Sequence, residues 1–575
     1  MRKSVFVLII TLLVVFACQA DLLSDRIAEL GREVDSFSAA LEQAKLEMRD
    51  LDYNTLNAHV EALRLDLEKC TDLYAANQED ELYLLLGSIT ATLKDLQPML
   101  YESLPVETRA MWVDRAMVES FFNINDIRRH LDQMQSINVN LIFIDVYNNG
   151  TSVYPSKVAT QLRKIQLMYE GDDLLKDYIT EAHQRGIEVH PMVRIFGIHN
   201  GAEYFIDSRA HWLDRTKDNN YTLANGFFWL NPVHPEVREY MINLLKELTE
   251  NYDVDGIHLD YIRYDTDYGY SPYTRELFKS LFGVDPFDIN TEEMEKTFTV
   301  FKTQFINKFV ERAYFELKAI KPNLIVSAAV GSPYTWLKLE KAQDWVNWAE
   351  NRIVHFVTPM SYRATAKEYL SVVNADITAT EGKTYLYPGL GIYLVSDGIS
   401  VVEQLIAAQG TSVSGQAIFS STSVRASQYK ALQDGPWKYP ALPTFRDPQM
   451  AATVLLEYLS LRLEKFQESI GLDPALVGEY LQLINDVSGR IENAELRKWD
   501  TRDLRTPSEV EAQILEELIS EISSLKRRVS RDSASGKLPK ATADRIMRDL
   551  NQVEDLLKPL YYTSLPFVYH PTSIL

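Results

Sequence analysis

Eight short apolar segments alternate with amphipathic helical segments across the middle of this chain, residues 106–447. Each apolar segment has the length and the apolar content of a buried strand, and helical periodicity follows each of the first seven. This alternation predicts parallel strands that are connected by helices. The predicted strands are 109–113, 139–146, 187–194, 255–261, 324–330, 354–360, 385–392 and 415–420.

Eight such strands are the number found in a (β/α)8 barrel. A doubly wound open sheet is the alternative, and it predicts a glycine-rich phosphate loop after the first strand. No such loop follows residues 109–113. We therefore predict an α/β fold, a TIM barrel, whose functional residues lie at the carboxyl ends of the strands.

The regions on either side of the barrel, residues 18–105 and 448–575, have apolar residues at helical spacing. This pattern predicts an all-α helical bundle on each side. The segments Leu96–Pro105 and Leu557–Pro566 share six of ten positions and close the two regions, which suggests that the bundles are related. The bundles either dock a partner protein or serve as spacers that pack against the barrel.

The first 17 residues have the pattern of a signal peptide. Arg2 and Lys3 precede an apolar run, residues 5–16, that is too short to span a bilayer. Residues 15–18 resemble a bacterial lipobox, so Cys18 is predicted to be lipidated; cleavage after Ala20 is the alternative. In both cases we expect the protein outside the cytoplasm: in the cell envelope with a lipid anchor as its contact with the membrane if Cys18 is lipidated, and secreted if cleavage follows Ala20.

The charge of the chain excludes one class of partner. There are 59 basic and 81 acidic side chains, which gives a formal net charge of −22. Nucleic acids bind basic surfaces, so we expect no nucleic-acid partner. The sequence contains no Walker loop and no His-Glu-x-x-His motif, and its ten histidines are scattered. We therefore expect no cofactor and no metal.

The segment around the fourth predicted strand contains the strongest candidate for chemistry. Because side chains alternate along a strand, His258 and Asp260 share one face, and Ile257 and Leu259 share the other. This places Asp260 at the mouth of the barrel, where a carboxylate has to be paired or functional. Arg263 is near enough to keep it ionised, and an Asp260–Arg263 ion pair without chemistry is the alternative.

Several segments, in order along the chain, resemble the glycosyl hydrolase-like family 10, bacterial secreted or lipoprotein enzymes with a TIM barrel. The resemblance covers roughly residues 107–425. It rests on Glu107–Val113, Gly150–Ser156, Gly186–His190, Asn231–Tyr240 and Asp255–Tyr261. The resemblance implies a glycosidase and makes Asp260, which closes the fourth-strand motif, the leading catalytic residue.

Glycoside hydrolysis usually requires two carboxyl groups. Asp145, at the end of the second predicted strand, is the first choice for the second group, with Asp265, Asp267 and Asp397 as further candidates. A substrate that supplies its own acetamido group needs only one enzyme acid.

Aromatic and polar residues near the predicted strand ends suit a sugar, since sugar rings stack on aromatic faces and their hydroxyl groups need polar partners. The predicted substrate-binding residues are Trp112, Tyr147, His190, His258, Tyr261, Arg263 and Tyr362. Packing inside the barrel is the alternative for His190. The long segment 265–293 is a candidate lid.

These features together predict a secreted or lipid-anchored glycoside hydrolase with carboxylate acid/base catalysis. Its expected substrate is an extracellular or cell-envelope glycan, either peptidoglycan strands or an oligosaccharide. The alternative is a non-catalytic, glycan-binding envelope lipoprotein whose helical bundles dock a protein partner.

Overall fold

The computed structural model of the protein describes residues 2–199, 202–222 and 226–572, with side chains from Leu22 onward apart from that of Glu203. The predicted lipidation site, Cys18, therefore lies outside the described side chains. Within the described part, no helix is both long and apolar enough to cross a membrane.

Eight parallel strands form a closed barrel, and each lies within two residues of its predicted bounds. The first part of β7 pairs with β6 and its second part pairs with β8, which also pairs with β1. The predicted (β/α)8 barrel is therefore confirmed. The strands are β1 (Thr108–Val113), β2 (Leu141–Asn148), β3 (Glu188–Arg194), β4 (Gly256–Asp260), β5 (Ile325–Gly331), β6 (Phe356–Met360), β7 (Tyr385–Leu386 and Gly389–Gly391) and β8 (Gly415–Phe419).

Helices connect the strands, and local sequence sets their ends. Asn123 and Asp126 form a capping box at the start of one helix, and Pro235 occupies the first turn of another. One predicted helix, 338–350, is two helices because Ala342 adopts a left-handed backbone conformation between them. The barrel helices are Arg115–Val118, Ile124–Ser136, Arg163–Met168, Leu174–His183, Glu203–Ser208, Pro235–Asn251, Pro272–Phe282, Glu292–Ile320, Tyr334–Lys341, Trp345–Glu350, Ala366–Thr380, Gly398–Gln409 and Ala426–Asp434.

In the part of the chain that the structure describes, three helices precede the barrel, and their apolar faces form a core separate from that of the barrel. Leu30, Leu63 and Ile89 are buried in this core, one from each helix. A short 3₁₀ turn, Gln97–Leu100, follows the last of them. The helices are Arg2–Leu46, Tyr53–Ala75 and Glu79–Leu96.

Between the barrel and residue 572, the last described residue, there are four helices, and their apolar side chains are continuous with the barrel core. The ring of Trp499 lies 5.1 Å from that of Tyr385 on β7, and the Tyr385 hydroxyl donates a hydrogen bond to the Leu556 carbonyl (2.8 Å). Helical regions thus flank the barrel as predicted, whereas the exact domain boundaries stay a prediction. The helices are Pro448–Phe466, Pro474–Glu492, Glu509–Ala534 and Lys540–Ser564.

Candidate active site

Asp260 is the last residue of β4 and lies at the carboxyl end of the barrel. Its carbonyl accepts a hydrogen bond from the Ile195 amide (2.8 Å), and its Oδ1 accepts one from the Tyr261 amide (2.7 Å). No described residue donates a hydrogen bond to its other carboxyl oxygen, and 8% of the residue is exposed. The backbone is therefore fixed, while one carboxyl oxygen is left for a ligand.

Burial raises the pKa of Asp260 above its ordinary value. The positive charges of Arg194 and Arg263 oppose this rise in pKa, as does the hydrogen bond from the Tyr261 amide, whereas the negative charge of Asp145 adds to it. A raised pKa keeps the carboxyl group protonated closer to neutral pH, as a general acid requires. Asp260 is thus chemically suited to protonate a leaving-group oxygen.

Asp145, on β2, is fully buried and enclosed by cations. Arg115 Nη2 lies 3.5 Å from its Oδ1, and Arg194 Nε lies 3.4 Å from its Oδ2. The side-chain amide of Asn148 also donates a hydrogen bond to Oδ2 (3.0 Å). Because Arg194 is paired with Asp260 in the β3–β4 register, its charge acts on both carboxyl groups.

An aromatic cluster forms one wall beside these groups. The Trp112 ring packs edge-on against Tyr362, with ring centroids 6.4 Å apart, and Tyr362 stacks on Phe419 at 5.5 Å. Gly391 on β7 makes room for this cluster, because a Cβ there would lie 3.0 Å from Cβ of Tyr362. The close packing orders the rings before any ligand arrives.

Tyr261 directly follows Asp260 and has a left-handed backbone conformation, with φ of 53°. The guanidinium groups of Arg194 and Arg263 lie 5.0 Å and 5.2 Å from its ring centroid, which is the geometry of cation–π contacts. These contacts fix the Tyr261 ring and hold two positive charges near Asp260.

A two-stranded antiparallel ribbon, Gly197–His199 with Phe227–Trp229, covers the other side of Tyr261. The Phe227 ring lies nearly parallel to the Tyr261 ring, with centroids 6.0 Å apart. A Cβ on Gly197 would approach the Tyr261 ring to 2.4 Å, so only glycine allows this close approach. The ribbon was not predicted from the sequence.

A sequence model of the family described as glycosyl hydrolase-like 10 matches residues 107–404, which is just over half of the chain. The chain belongs to this family. The resemblance noted from the sequence motifs is therefore confirmed.

Relatives of this glycosyl hydrolase-like 10 chain match parts of it. An S-layer-related protein of Niallia circulans is 25% identical over 280 residues, 39% of this chain and 17% of that protein. Glycosyl hydrolase DigH of Escherichia coli K12 is 22% identical over 311 residues, 46% of this chain and 65% of that protein. The chain thus spans less than two thirds of the length of these curated relatives.

A solved structure, the α-L-fucosidase isoenzyme 2 from Paenibacillus thiaminolyticus, also matches the chain. It is 17% identical and has a TM-score of 0.45, and the match covers 57% of this chain and 48% of the fucosidase.

The structure brings six of the predicted site residues together toward the carboxyl end of the glycosyl hydrolase-like 10 barrel, where Tyr261, Arg263 and Tyr362 are partly exposed and Trp112 and Asp145 are buried. They are Trp112, Asp145, Asp260, Tyr261, Arg263 and Tyr362.

The two predicted histidines lie in the interior of the barrel and are fully buried. His258 stacks on Phe143 at 3.8 Å, and its Nδ1 lies 2.9 Å from the Ser327 hydroxyl. His190 packs against Phe356, and neither of its ring nitrogens has a hydrogen-bond partner among the described residues. Burial lowers the pKa of both histidines, so both are neutral near neutral pH. In this structure both histidines are packed in the barrel core, where they do not reach a ligand at the mouth. For His190, this is the alternative stated in the sequence analysis.

Tyr147 is also placed away from the mouth. The pairing of β2 with β3 shifts register between Asp145 and Tyr147, which breaks the simple alternation of side chains. The Tyr147 ring is fully buried beside Tyr240 of the helix Pro235–Asn251, with the two hydroxyl oxygens 3.5 Å apart. The expectation that Tyr147 lines the mouth therefore fails because of this irregularity.

Two other carboxylates near the mouth form hydrogen bonds or ion pairs with neighbouring side chains of the protein. Asp114, which directly follows β1, accepts hydrogen bonds from the hydroxyl groups of Ser420 and Thr422. Asp265 forms an ion pair with Lys341. The sequence analysis did not single out Asp114, although its position immediately after a predicted strand was a usable signal.

Among the described residues, no group of three or more His, Cys, Asp or Glu side chains is arranged to hold a metal ion.

Proposed function

We propose that this chain is a glycoside hydrolase in which Asp260 is the general acid. One observation carries the proposal: Asp260 has a free carboxyl oxygen at the mouth of the barrel, in surroundings that raise its pKa. Membership of the glycosyl hydrolase-like family and the aromatic wall beside Asp260 support a carbohydrate substrate.

Asp145 has a different role in this proposal from that of the second catalytic carboxyl group, for which it was the first choice from sequence. The carboxyl group is fully buried, with Asn148 and Arg194 at Oδ2 and Arg115 3.5 Å from Oδ1, which has no hydrogen bond to a described residue. We place it as the counter-charge of the two arginines rather than as a group that attacks a sugar. The nucleophile is then the acetamido oxygen of an N-acetylated sugar, as in substrate-assisted glycosidases.

The chemistry follows from these roles. The acetamido oxygen bonds to the anomeric carbon while the glycosidic C–O bond breaks, and the leaving oxygen takes the proton of Asp260. Water then attacks the anomeric carbon while the bond from that carbon to the acetamido oxygen breaks, and the attacking water gives a proton to the Asp260 carboxylate. Two displacements at one carbon retain the anomeric configuration, which NMR of the first-formed product measures directly.

We propose an extracellular or cell-envelope glycan as the substrate, with peptidoglycan strands first because their sugars carry acetamido groups. A lipid anchor on Cys18 would hold the enzyme near such a substrate. Labelled palmitate should enter the wild-type chain and not a Cys18→Ser variant; label in both would remove Cys18 as the lipidated residue.

The test of activity compares residues 19–575 with and without Asp260→Asn on a panel of glycans. The panel contains denuded, peptide-bearing and de-N-acetylated peptidoglycan, and mass spectrometry counts the reducing ends released. We expect cleavage by the wild type to fall by about 10²–10⁴-fold in Asp260→Asn. Asp218→Asn is the matched control and should keep full activity, because Asp218 is exposed and is not among the candidate catalytic residues.

The de-N-acetylated glycan separates substrate assistance from catalysis by a second carboxyl group of the enzyme. Cleavage of that substrate at the normal rate would contradict substrate assistance and restore Asp145 as the first choice for the second carboxyl group. Full activity in Asp260→Asn would remove Asp260 from the mechanism.

A non-catalytic glycan-binding envelope protein, with bundles that dock a partner, is the second candidate. It is favoured because Asp114, Asp145 and Asp265 each contact another side chain of the protein. None of these three carboxylates is then free to act as the second catalytic group beside Asp260. Glycan binding without cleavage of any panel member would support this candidate over the hydrolase.

A further inference from the structure

A polar cleft of about 850 Å³ lies at the end of the barrel opposite to Asp260. One side is the turn Gly410–Ser412, which precedes β8 and is therefore at the amino end of the strands. The other side is formed by the last two helices, Glu509–Ala534 and Lys540–Ser564. Clefts of this size hold small organic ligands and are larger than a single inorganic ion needs.

Arg548 lines this cleft without a partner. It is partly buried, and among the described residues no ion pair or hydrogen bond involves its guanidinium group. Arg545, on the same helix, instead pairs with Glu102 and with Asp549 (3.0 Å). Burial and the charge of Arg545 lower the pKa of Arg548, whereas the negative charges of Asp549, Glu102 and Glu47 act against this lowering. Among the described residues, none of these carboxylates is within ion-pair distance of the Arg548 guanidinium group, which is therefore available to a bound anion.

Other donors surround the same space. The helix Lys540–Ser564 begins at the cleft, and its N-cap residue, Pro539, provides no side-chain cap, so the positive end of the helix dipole is open there. Lys540 and the hydroxyl groups of Ser412 and Ser533 line the cleft, and neither hydroxyl has a hydrogen bond to another described residue.

Acidic groups in the lining do not cancel these donors. Asp555 is engaged by Lys558, with 2.7 Å between its Oδ1 and the Lys558 Nζ. Asp544 is exposed to solvent, where its charge is screened. Among the described residues that line the cleft, Arg548 therefore has a positive charge that is partly buried and has no ion-pair partner.

We propose that this cleft binds an oxyanion, either a carboxylate or a phosphate, carried by a small hydroxylated molecule such as a sugar acid or a sugar phosphate. The guanidinium group of Arg548 binds the oxyanion in a bidentate manner, as arginine does with both groups. Ser412, Ser533 and Asn551 are placed to bind the hydroxyl groups of the same molecule.

The test is isothermal titration of the whole chain with glucuronate, glycerol phosphate, inorganic phosphate and neutral glucose. We expect saturable binding of glucuronate or glycerol phosphate that is tighter than that of inorganic phosphate or glucose. The tighter of the first two identifies the oxyanion. Arg548→Gln should weaken this binding by at least about tenfold. Arg531→Gln, which removes an exposed charge from the neighbouring helix outside the cleft, should leave it unchanged.

A second variant keeps the test decisive if Arg548→Gln folds poorly. Ser533→Glu places a carboxylate in the cleft at a partly exposed position, so it should block the anion while the chain still folds. The proposal is overturned if neither anion binds the wild type, if glucose binds as tightly as the anions, or if Arg531→Gln weakens binding as much as Arg548→Gln.

Discussion

The charge next to Asp260 controls the pH range in which a general acid could work there. Arg194 is the first of the cations that oppose the raised pKa of Asp260. A general acid is active while protonated, so activity falls as pH rises through its pKa. Removal of a nearby positive charge raises the pKa and moves this loss of activity to higher pH.

We therefore predict that Arg194→Gln moves the basic limb of the kcat/KM profile to higher pH and lowers the maximal rate. Arg263→Gln should move the limb less, because its charge acts more weakly on Asp260 than that of Arg194. The pH dependence of glycan cleavage measures both shifts, and NMR titration of the Asp260 carboxyl carbon checks them without substrate. A shift to lower pH in Arg194→Gln would contradict the proposed role of Asp260.

At the level of single residues, the sequence predicted which way side chains point only where the strands are regular. His258 faces the barrel interior as the alternation predicted, but the depth of its burial depends on the rings packed around it, such as Phe143. Tyr147 departs from the alternation at an irregularity in β2 that no sequence signal marked. The enclosure of Asp145 depends on arginines from two other elements, and only the assembled barrel brings these together.

At the level of elements, the strands were predictable because each is a short apolar segment bounded by polar turns. The ribbon over Tyr261 was not, since its two strands have only three residues each and lie about 30 residues apart. Its contact with Tyr261 depends on Gly197, whose role is visible only once the two segments meet.

We predict that Gly197→Ala impairs the site, because the new methyl group would lie 2.4 Å from the Tyr261 ring. The displacement of that ring should raise the KM for glycan and lower the free energy of unfolding by about 1–3 kcal/mol. Steady-state kinetics and urea unfolding measure the two effects.

Gly478→Ala is the matched control for this substitution. Gly478 lies inside the helix Pro474–Glu492, and a Cβ there would have no heavy atom within 4 Å. Because alanine favours the helix, this variant should gain about 0.5–1 kcal/mol of stability and keep its activity. Equal loss of stability in both variants would show that the contact with Tyr261 is not the cause.

At the level of the whole molecule, a buried ion network joins the first helical region to the last. Glu102 accepts hydrogen bonds from the Asp50 amide (3.0 Å) and from Arg462 (2.7 Å), and it also pairs with Arg545. Burial acts to raise the pKa of Glu102, but the two arginines outweigh it and lower the pKa to about 2. The folded protein thus binds this proton far less readily than the unfolded chain.

A lowered pKa stabilises the fold above the unfolded value of about 4.5, and this contribution disappears as pH falls toward 2. We predict a loss of about 3 kcal/mol from this group over that range. Glu102→Gln leaves two buried arginines without their anion and should cost about 3–5 kcal/mol at neutral pH, with a flatter dependence below pH 4.5. Urea unfolding as a function of pH measures both; an equally steep dependence in the variant would assign the acid sensitivity to other groups.

The two helical regions differ in how they contribute to the barrel. The first three helices have a core of their own, whereas the last four share theirs with the barrel. Arg352, in the turn before β6, donates a hydrogen bond to the Tyr562 carbonyl (2.7 Å), and Trp499 packs on Tyr385 of β7. Removal of the last region would therefore expose one side of the barrel core to water.

We predict opposite results for two deletions that follow this difference. A chain without residues 1–96 should still unfold in a cooperative transition with a modestly lower Tm, because it keeps the barrel core, Glu102 and the last four helices. A chain that ends at residue 447 should bind a hydrophobic dye and aggregate, since Leu456, Leu550 and Leu557 no longer cover the barrel core. Calorimetry and dye binding on both chains test this, and a stable monomeric chain 1–447 would show that the barrel core does not depend on the last four helices.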